Sequence, residues 1–441
     1  MSQTKTIRPV AIVGANRIPF CRAGTGYADL TNLDMLVSAL QGLVDRYNLH
    51  GQQMDELVAG AVMTFPKDFN LAREALLGTS LSPLTPGITL QQACGTSLQA
   101  AFGIASKIAC GQIECGIAAG TDSASDVPVL FSRRFSQRLV ALSKAKTTRQ
   151  KLAILKGFRP SELAPVAPAI SEPRTELSMG EHCELMAKQW QIGREAQDEL
   201  ALASHHRAES AYSNCFFDDL LSPCAGMLRD NNLRQDLTLA QLEKLKPSFD
   251  RSAKGTLTAG NSTPLTDGAA SLLLASEEWA AANNLPVLAR LTHMETAAVD
   301  HVGGEGLLMA PTVAVANMLS RAELSLQDFT HYEIHEAFAA QVLCTLKAWE
   351  SEEYCRERLG LEKALGSIDR DKLNMTGSSL AIGHPFAATG ARIAGTLARQ
   401  LQLAGQGRGL ISICTAGHPG EITVAGAAIV LPRDSHARRL L

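Results

Sequence analysis

Residues 88–125 read ITLQQACGTSLQAAFGIASKIACGQIECGIAAGTDSAS, and residues 373–420 read LNMTGSSLAIGHPFAATGARIAGTLARQLQLAGQGRGLISICTAGHPG. Both stretches pass in the same order through a strand, a turn, a helix of small residues, a second turn and a strand that ends in a glycine-containing loop. A reactive side chain stands in the turn before each helix, Cys94 in the first stretch and His384 in the second. The repeat predicts two copies of one fold, related by a pseudo-twofold axis that brings the two turns face to face.

The remaining apolar runs predict a layered α/β fold. Runs such as PVAIVG at 9–14, AASLLLA at 269–275 and GLISIC at 409–414 are continuous rather than alternating, which is typical of strands buried on both faces. Segments with a period of 3.6 residues, such as 33–47 and 195–212, lie between them and predict helices. Sheets with helices on both faces are the expected architecture.

Length and composition exclude several classes of protein. A chain of 441 residues favours two to four structural units at roughly 100 to 200 residues per domain. With 46% hydrophobic and 19% charged residues, the chain is neither disordered, collagen-like nor a small disulfide scaffold. The net charge of −3 gives no global field that attracts nucleic acid or an anionic membrane, and we expect no nucleic-acid partner.

The ten cysteines are expected to be free thiols. The N-terminal residues have no pattern of a secretory signal, and no apolar run reaches the roughly 18 residues of a membrane span. We therefore predict a soluble protein in the reducing cytoplasm. The cysteines lack the spacing of a zinc site, and the chain has no Walker loop and no dinucleotide-binding glycine motif, so we predict neither a metal nor a cofactor.

A basic amphipathic segment breaks the even distribution of charge. Residues 127–161 contain no acidic residue and nine basic ones, which are Arg133, Arg134, Arg138, Lys144, Lys146, Arg149, Lys151, Lys156 and Arg159. Apolar residues recur among them at helical spacing. Three interpretations stay open: a solvated helical face over a core, an anchor for a nucleotide phosphate, or a docking surface for a membrane or a partner protein.

Two of the turn residues can form a nucleophile and its base. Cys94 precedes an alanine-rich helix, and the unpaired N–H groups of a helix N-terminus favour a thiolate. His384 is flanked by Gly383 and Pro385, which constrain the turn. Cysteine and histidine are the usual partners for making a thiolate near neutral pH, so His384 is the candidate general base.

Two further positions complete the candidate set. Cys414 ends an apolar run and opens the loop TAGHPG, whose amides near Ala416 can face a developing oxyanion. His335 stands in EIHEAFAAQ, between a short strand and a helix. A buried structural histidine is the alternative for His335.

These motifs resemble those of the thiolase family, and most closely the 3-ketoacyl-CoA thiolases that form the β subunit of fatty-acid β-oxidation complexes. The resemblance covers almost the whole chain. Its motifs are NRIPF at 16–20, the Cys94 loop, MGE at 179–181, ASHHRA at 203–208, GTLTAGNSTPLTDGAA at 255–270, HEAF at 335–338, GHPFAATG at 383–390 and CTAG at 414–417.

The resemblance implies a role for each candidate residue. Cys94 attacks the C3 carbonyl of a 3-ketoacyl-CoA and holds the shortened acyl chain, and His384 takes its proton. Cys414 protonates the departing acetyl-CoA carbanion and later deprotonates CoA. His335 and His384 serve one oxyanion hole, and backbone N–H groups near Cys94 and Ala416 serve the other. Contacts to CoA and the substrate are implied for Met179, Thr263, Phe338 and Ala416.

The resemblance also implies a thiolase fold with two duplicated α/β/α halves. The expected N-terminal half spans residues 1–120 and 256–280, a CoA-binding loop domain spans 121–255, and the C-terminal half spans 281–441. The implied partners are a second identical chain and two α subunits with hydratase and dehydrogenase activities. CoA is a substrate, and no cofactor is implied.

Three alternatives to a degradative thiolase remain. A biosynthetic acetoacetyl-CoA thiolase has the same catalytic set, and only its acyl pocket differs. A decarboxylating condensing enzyme shares the duplicated fold and the nucleophilic cysteine but typically uses two histidines, or a histidine and an asparagine, beside it, and Cys414 argues against this alternative. A non-catalytic relative would bind acyl-CoA without cleaving it.

The sequence departs from the common thiolase pattern in four places. His335 stands where many thiolases have asparagine, Thr263 where many have serine, and Ser378 where glycine is common. His418 and Pro419 replace a glycine and an apolar residue in the loop after Cys414. The three reactive residues are unchanged.

Overall fold

The computed structural model of the chain describes residues 7–415 and the strand at 423–432. The strands are β1 Val10–Arg17, β2 Cys21–Arg22, β3 Glu56–Gly60, β4 Gly87–Thr89, β5 Cys115–Asp122, β6 Leu130–Phe131, β7 Pro165–Val166, β8 Thr266–Ser276, β9 Ala289–Val299, β10 His331–Ile334, β11 Gly409–Cys414 and β12 Thr423–Pro432. The α-helices are α1 Asn32–Tyr47, α2 Leu71–Leu77, α3 Thr96–Ala109, α4 Arg133–Lys144, α5 Thr148–Leu155, α6 Met179–Gln189, α7 Arg194–Ser213, α8 Leu239–Glu243, α9 Glu277–Ala282, α10 Ala310–Ala322, α11 Ala339–Glu350, α12 Glu352–Leu359, α13 Ser379–Ile382 and α14 Thr389–Ala404.

The main sheet joins two sets of strands that have the same topology. Its order is β4-β3-β5-β8-β1-β9-β12-β11-β10. In the first set β3 runs parallel to β5, and the pairs β5–β8 and β8–β1 are antiparallel. In the second set β10 runs parallel to β11, and the pairs β11–β12 and β12–β9 are antiparallel. The predicted duplication is therefore present in the strand order and direction.

The helices repeat with the strands. In the first half α1 follows β1 and α3 lies between β3 and β5, and in the second half α10 follows β9 and α14 lies between β10 and β11. A capping box starts α1, where Thr31 and Asp34 each accept a hydrogen bond from the other's backbone N–H. All eleven residues of β8 are buried, as the continuous apolar run predicts.

The two central helices lie between the two halves of the sheet. One hydrophobic cluster contains Leu98 and Phe102 of α3, Leu397 of α14, Leu272 of β8 and Ile411 of β11. Separate clusters pack α1 and α2 on the outer face of the first half, and α10 and α11 on that of the second. The layered α/β arrangement is thus confirmed, with α3 and α14 shared by both halves.

A glycine permits the close contact between the two central helices. A Cβ atom on Gly390 would lie 2.4 Å from the backbone nitrogen of Leu98 in the first turn of α3. The hydroxyl of Ser97 accepts a hydrogen bond of 2.8 Å from the backbone N–H of Ala391 in α14. The N-termini of α3 and α14 are therefore joined directly, and so are the turns that precede them.

The segment between β5 and β8 contains α4 to α8 and is attached to β1 by a buried ion pair. Both Nη atoms of Arg17 donate to the carboxylate of Asp230, at 2.6 and 2.8 Å. The same carboxylate accepts from the backbone N–H of Phe20 and the hydroxyl of Tyr212. This network gives Arg17 and Phe20 of the NRIPF motif a structural role. The precise domain boundaries stay a prediction.

Candidate active site

Cys94 and His384 meet where the two central helices begin. Nε2 of His384 lies 3.1 Å from Sγ of Cys94, although 290 residues separate them in the chain. Cys94 precedes Gly95, the N-cap of α3, and follows Ala93, whose φ of 44° is left-handed. Such a backbone conformation is costly for a residue with a side chain and is often found at functional sites. The structure therefore brings the predicted nucleophile and base into direct contact.

The ring of His384 is oriented by a residue of α14. Nδ1 of His384 lies 2.6 Å from the hydroxyl oxygen of Thr389. The Cys94 thiol can donate to Nε2 only when Nδ1 carries the ring proton, which the Thr389 oxygen then accepts. Burial and, to a smaller extent, the charge of the nearby Arg392 lower the pKa of His384 to about 3. His384 therefore rests as a neutral imidazole.

A buried carboxylate holds the turn that contains His384. Asp122, at the end of β5, accepts hydrogen bonds from the backbone N–H groups of Val62, Met63 and Ala387. Burial raises the pKa of Asp122 to about 7, while these three hydrogen bonds act in the opposite direction. Asp122 thus links β3, β5 and the turn after His384.

His335 lies against His384 and is completely buried. The two ring centroids are 4.2 Å apart. Nδ1 of His335 is 3.0 Å from the hydroxyl oxygen of Ser379, while Nε2 has no hydrogen-bond partner among the described residues. Burial, the proximity of His384 and the charge of Arg392 together hold the pKa of His335 well below its ordinary value. A neutral ring thus presents one unpaired nitrogen beside the Cys–His pair.

Cys414 ends β11 in an apolar environment close to Cys94. It belongs to a buried cluster with Cys183, Phe338 and Cys344. Its neighbour in sequence, Thr415, lies so close to the Cys94 turn that a Cβ atom on Gly95 would be 2.8 Å from the Thr415 methyl group. Burial raises the pKa of the Cys414 thiol well above its ordinary value, and the nearby Cys94 adds to this effect. Cys414 therefore keeps its proton at rest.

Three of the four predicted substrate contacts surround these residues. Thr263 donates to the backbone oxygen of Ser379 at 3.0 Å. Phe338 precedes α11 and packs edge-on against Phe249, with ring centroids 5.8 Å apart. Met179 begins α6 and lies against the cluster that contains Cys414. Ala416, like His418 and Pro419, lies outside the described residues.

Sequence reasoning missed the polar groups that support the site. Glu336 is buried and accepts from Ser204, Asn374 and the backbone of Leu380, so it anchors the HEAF motif to two other elements. Ser379 and Arg392 were likewise not identified as candidates. The sequence gives one signal for Glu336 and Arg392, which is a charged residue within an otherwise apolar motif. It does not indicate their hydrogen-bond partners, because these lie far away in the chain.

A cavity in the segment between β5 and β8 was also not anticipated. It measures about 450 Å³ and is lined by Arg234, Gln235, Asp236, Leu237, Gln241, Leu242 and Leu245. Leu242 and Leu245 pack on Gly260, three residues before Thr263. Two residues that line the cavity therefore pack on the loop that leads to Thr263.

Residues 7–415 contain no group of three or more histidine, cysteine or acidic side chains placed to hold a metal ion. No helix in the described part of the chain is both long enough and apolar enough to cross a membrane.

Comparison with known proteins identifies the family. The thiolase N-terminal domain model matches residues 10–278, and the thiolase C-terminal domain model matches residues 285–427. A 3-ketoacyl-CoA thiolase of Yersinia pestis (strain Pestoides F) is 40% identical over 421 residues, which cover 94% of this chain and 96% of that protein. A 3-ketoacyl-CoA thiolase of Photorhabdus laumondii has the same identity and coverage.

Solved structures agree with this assignment. The Bacillus anthracis acetyl-CoA acetyltransferase has a TM-score of 0.79 at 30% identity, covering 97% of this chain and 100% of that one. Human mitochondrial 3-ketoacyl-CoA thiolase has the same TM-score and coverage at 26% identity. With a duplicated fold whose two central helices bring a cysteine and a histidine together, the chain belongs to the thiolase family.

Proposed function

We propose that the chain is a 3-ketoacyl-CoA thiolase, which cleaves 3-ketoacyl-CoA with CoA to give acetyl-CoA and an acyl-CoA two carbons shorter. The distance of 3.1 Å between His384 Nε2 and Cys94 Sγ is the observation that carries this proposal. The names of the relatives at 40% identity support the substrate class.

The first half-reaction forms an acyl-enzyme. As the thiol of Cys94 attacks the C3 carbonyl carbon, its proton passes to Nε2 of His384. The tetrahedral intermediate collapses by breaking the C2–C3 bond, and the electron pair moves to C2. The Cys414 thiol gives its proton to C2, so acetyl-CoA leaves and the shortened acyl chain stays on Cys94. The raised pKa of Cys414 suits it to this role, because the thiol is protonated before C2 needs its proton.

The second half-reaction returns the enzyme to its starting state. The Cys414 thiolate takes the proton of the incoming CoA thiol, and the CoA sulfur attacks the thioester carbon. Cys94 leaves as a thiolate and regains its proton from His384. Cys94, His384 and Cys414 are then back in their starting protonation states, so the proposed cycle needs no metal or redox cofactor.

Oxyanion stabilisation is assigned to the two buried histidines and to the backbone. The unpaired Nε2 of His335 is the group that can donate to a substrate oxygen, since its other nitrogen contacts Ser379. Backbone N–H groups near Cys94 and Ala416 complete the proposed second hole. Removing a single oxyanion donor typically costs about 10²- to 10³-fold in kcat.

CoA is proposed to approach through the segment between β5 and β8. Thr263, Met179 and Phe338 surround the Cys94 region and are assigned to the pantetheine and the acyl chain. The cavity beside Arg234 offers a guanidinium group for the phosphates of CoA, which are anionic.

Two other functions use the same fold. A biosynthetic acetoacetyl-CoA thiolase shares the catalytic set, and the Bacillus anthracis relative bears the name acetyl-CoA acetyltransferase. A non-catalytic acyl-CoA-binding protein is less favoured, because it has no use for a cysteine in contact with a buried imidazole. The presence of Cys414 argues against a decarboxylating condensing enzyme.

The test is turnover of 3-ketoacyl-CoA substrates of increasing chain length, with CoA as the acceptor. We expect cleavage of substrates longer than acetoacetyl-CoA, and loss of at least about 10³-fold in kcat for Cys94→Ser, because a serine hydroxyl is a far weaker nucleophile. Mass spectrometry after incubation with substrate alone should find the shortened acyl group on Cys94.

The exposed Cys110 provides the matched control, and Cys110→Ser should keep full activity. Wild-type turnover by the Cys94→Ser protein would falsify the proposal. Cleavage of acetoacetyl-CoA alone would favour the biosynthetic enzyme, and acyl-CoA binding without an adduct would favour the non-catalytic relative.

The resemblance extends the proposal to the assembly and its compartment. We propose a cytoplasmic homodimer that joins two α subunits with hydratase and dehydrogenase activities in fatty-acid β-oxidation. We also propose that α4 and α5 form a peripheral contact with an anionic membrane surface. In support of this contact, no residue of either helix is buried, and both helices carry exposed apolar as well as basic side chains.

A further inference from the structure

A buried chain of polar groups connects Glu333 to His335. Nη2 of Arg392 donates to the hydroxyl oxygen of Ser379 at 2.8 Å, and that oxygen lies 3.0 Å from Nδ1 of His335. Behind the arginine, the Glu333 carboxylate lies 4.0 Å from Nη1. Arg392 is 3% exposed, and Glu333, Ser379 and His335 have no exposed surface.

The direction of the hydrogen bonds between Arg392, Ser379 and His335 follows from the donors and acceptors that each side chain carries. An arginine can only donate, so Ser379 accepts from Arg392. The Ser379 hydroxyl can still donate one hydrogen bond, and among the described residues Nδ1 of His335 is the acceptor within hydrogen-bond distance. If Nδ1 carried the ring proton instead, the buried hydroxyl of Ser379 would lose its acceptor, which is unfavourable.

We propose that Ser379, oriented by Arg392, acts as a positioning residue that holds His335 in the Nε2–H tautomer, so that its unpaired nitrogen donates to a substrate oxygen. This inference rests on the proposed thiolase function for the identity of the oxygen. The tautomer itself is a property of the protein alone.

The neighbouring histidine needs the opposite tautomer. Nε2 of His384 must accept the Cys94 proton, and its Nδ1 therefore donates to Thr389. The two neighbouring imidazoles, whose planes are inclined by 50°, thus contact different hydroxyl groups through Nδ1, and the partner of each hydroxyl decides which nitrogen carries the proton. Of the two hydroxyl groups that contact these rings, that of Ser379 accepts a hydrogen bond from Arg392, which uses one of its lone pairs and directs its own proton to His335.

The kinetic test compares Ser379→Ala in two backgrounds. In the wild-type background we expect kcat to fall on the order of 10-fold with little change in KM, because the donor is lost only where charge develops in the transition state. In the His335→Asn background we expect no further loss, since an asparagine amide donates without a tautomer. Ser379→Thr, which retains the hydroxyl, should restore most of kcat.

Ser378 provides the matched control. Its hydroxyl accepts from Nη1 of the same Arg392 at 3.2 Å, but it does not contact His335 among the described contacts. Ser378→Ala should leave kcat within about twofold. An equal loss for Ser379→Ala in both backgrounds would mean that Ser379 only supports the fold, and this would overturn the proposal.

A direct readout separates this inference from the proposed function. Nitrogen NMR of protein labelled with ¹⁵N-histidine, without substrate, distinguishes an Nε2–H ring from an Nδ1–H ring. The His335 signal is the one that disappears in His335→Asn. We expect this signal to be of the Nε2–H type in the wild type and to shift toward the Nδ1–H type in Ser379→Ala. An Nδ1–H ring in the wild type would overturn the inference even if the protein is a thiolase, and the spectrum decides the tautomer even if it is not.

Discussion

Burial controls the protonation of His384, His335 and Cys414 at the centre of the molecule. His384 and His335 are kept neutral, because the surrounding protein cannot solvate an imidazolium ion and Arg392 opposes a second positive charge. The same burial keeps the proton on Cys414. One physical effect thus leaves the proposed base free to accept a proton and the proposed acid with a proton to donate.

A histidine away from the reacting atoms allows the effect of burial to be measured. His205 of α7 is 4% exposed, and its Nδ1 accepts a hydrogen bond from the backbone N–H of Arg234. Burial lowers its pKa from 6.5 to about 4, helped by the charges of Arg234 and His206. Between pH 6.5 and pH 4 the unfolded chain therefore binds a proton that the folded protein does not, and stability falls as the pH falls.

We predict that the stability advantage of the wild type over His205→Asn shrinks by about 2 to 3 kcal/mol between pH 7.5 and pH 4.5, at about 1.4 kcal/mol per pH unit below 6.5. Asparagine retains an acceptor for the Arg234 N–H but does not titrate. Urea unfolding of both proteins at a series of pH values measures the difference. A difference that stays constant with pH would show that His205 is protonated in the folded protein as easily as in the unfolded one.

At the scale of elements, the catalytic geometry depends on how closely α3 approaches α14. Cys94 and His384 stand in the turns before these helices, so their separation follows the position of the two helix N-termini. The missing side chain of Gly390 and the hydrogen bond from Ala391 to Ser97 set that position. A misplacement of about 1 Å in a catalytic group can cost on the order of 10²-fold in rate.

We predict that Gly390→Ala lowers kcat by at least about tenfold and destabilises the protein by about 1 to 3 kcal/mol, because the new methyl group meets backbone atoms that cannot rotate away. The control is Gly103→Ala in α3, the other central helix, where an added Cβ atom would meet nothing within 4 Å. This control should gain about 0.5 to 1 kcal/mol from the higher helix propensity of alanine and keep its activity. Urea unfolding and steady-state kinetics measure both; equal behaviour of the two variants would contradict the role of the helix contact.

At the scale of the whole molecule, a net charge of −3 coexists with one strongly basic surface. Phe135 of α4 makes aromatic contacts with Phe131 of β6 and with Phe158, which follows α5, and these contacts hold the segment together. Apolar side chains nevertheless remain exposed, among them Phe131 at 58% and Leu152 at 64%. Arg138 differs from the other basic residues, because it is paired with Glu162. The surface available to an anionic lipid therefore consists of the unpaired arginines and lysines around these apolar groups.

We predict that replacing Arg133, Arg134 and Lys151 together by glutamate weakens cosedimentation with vesicles of anionic phospholipid at least about tenfold, since each basic residue near such a surface contributes about 1 kcal/mol. Arg138 is left intact so that the fold of the segment is preserved. The control replaces the exposed Lys67, Lys254 and Lys363 by glutamate, which changes the net charge equally. Equal vesicle binding by wild type and both variants would exclude the lipid contact and would favour a contact of this surface with the proposed α subunit.

Much of the architecture and the reactive set was predictable from local patterns. Continuous apolar runs identified the buried strands, and the repeated turn before a small-residue helix identified Cys94, His384 and the duplication. Hydrophobic periodicity is a local property, so it survives in a single sequence. The residues that hold the site together, Asp122, Ser379 and Arg392, were not predictable, because their hydrogen-bond partners lie on other elements.

The sequence by itself therefore determined the fold class and the family, and it predicted which side chains react, because residue type and spacing encode them. Only the tertiary structure decided that Cys94 and His384, 290 residues apart, lie 3.1 Å from each other, and that His335 leaves one nitrogen unpaired beside them. The physical reason is that protonation state and hydrogen-bond direction depend on burial and on neighbours in space, and only chain folding brings those neighbours together.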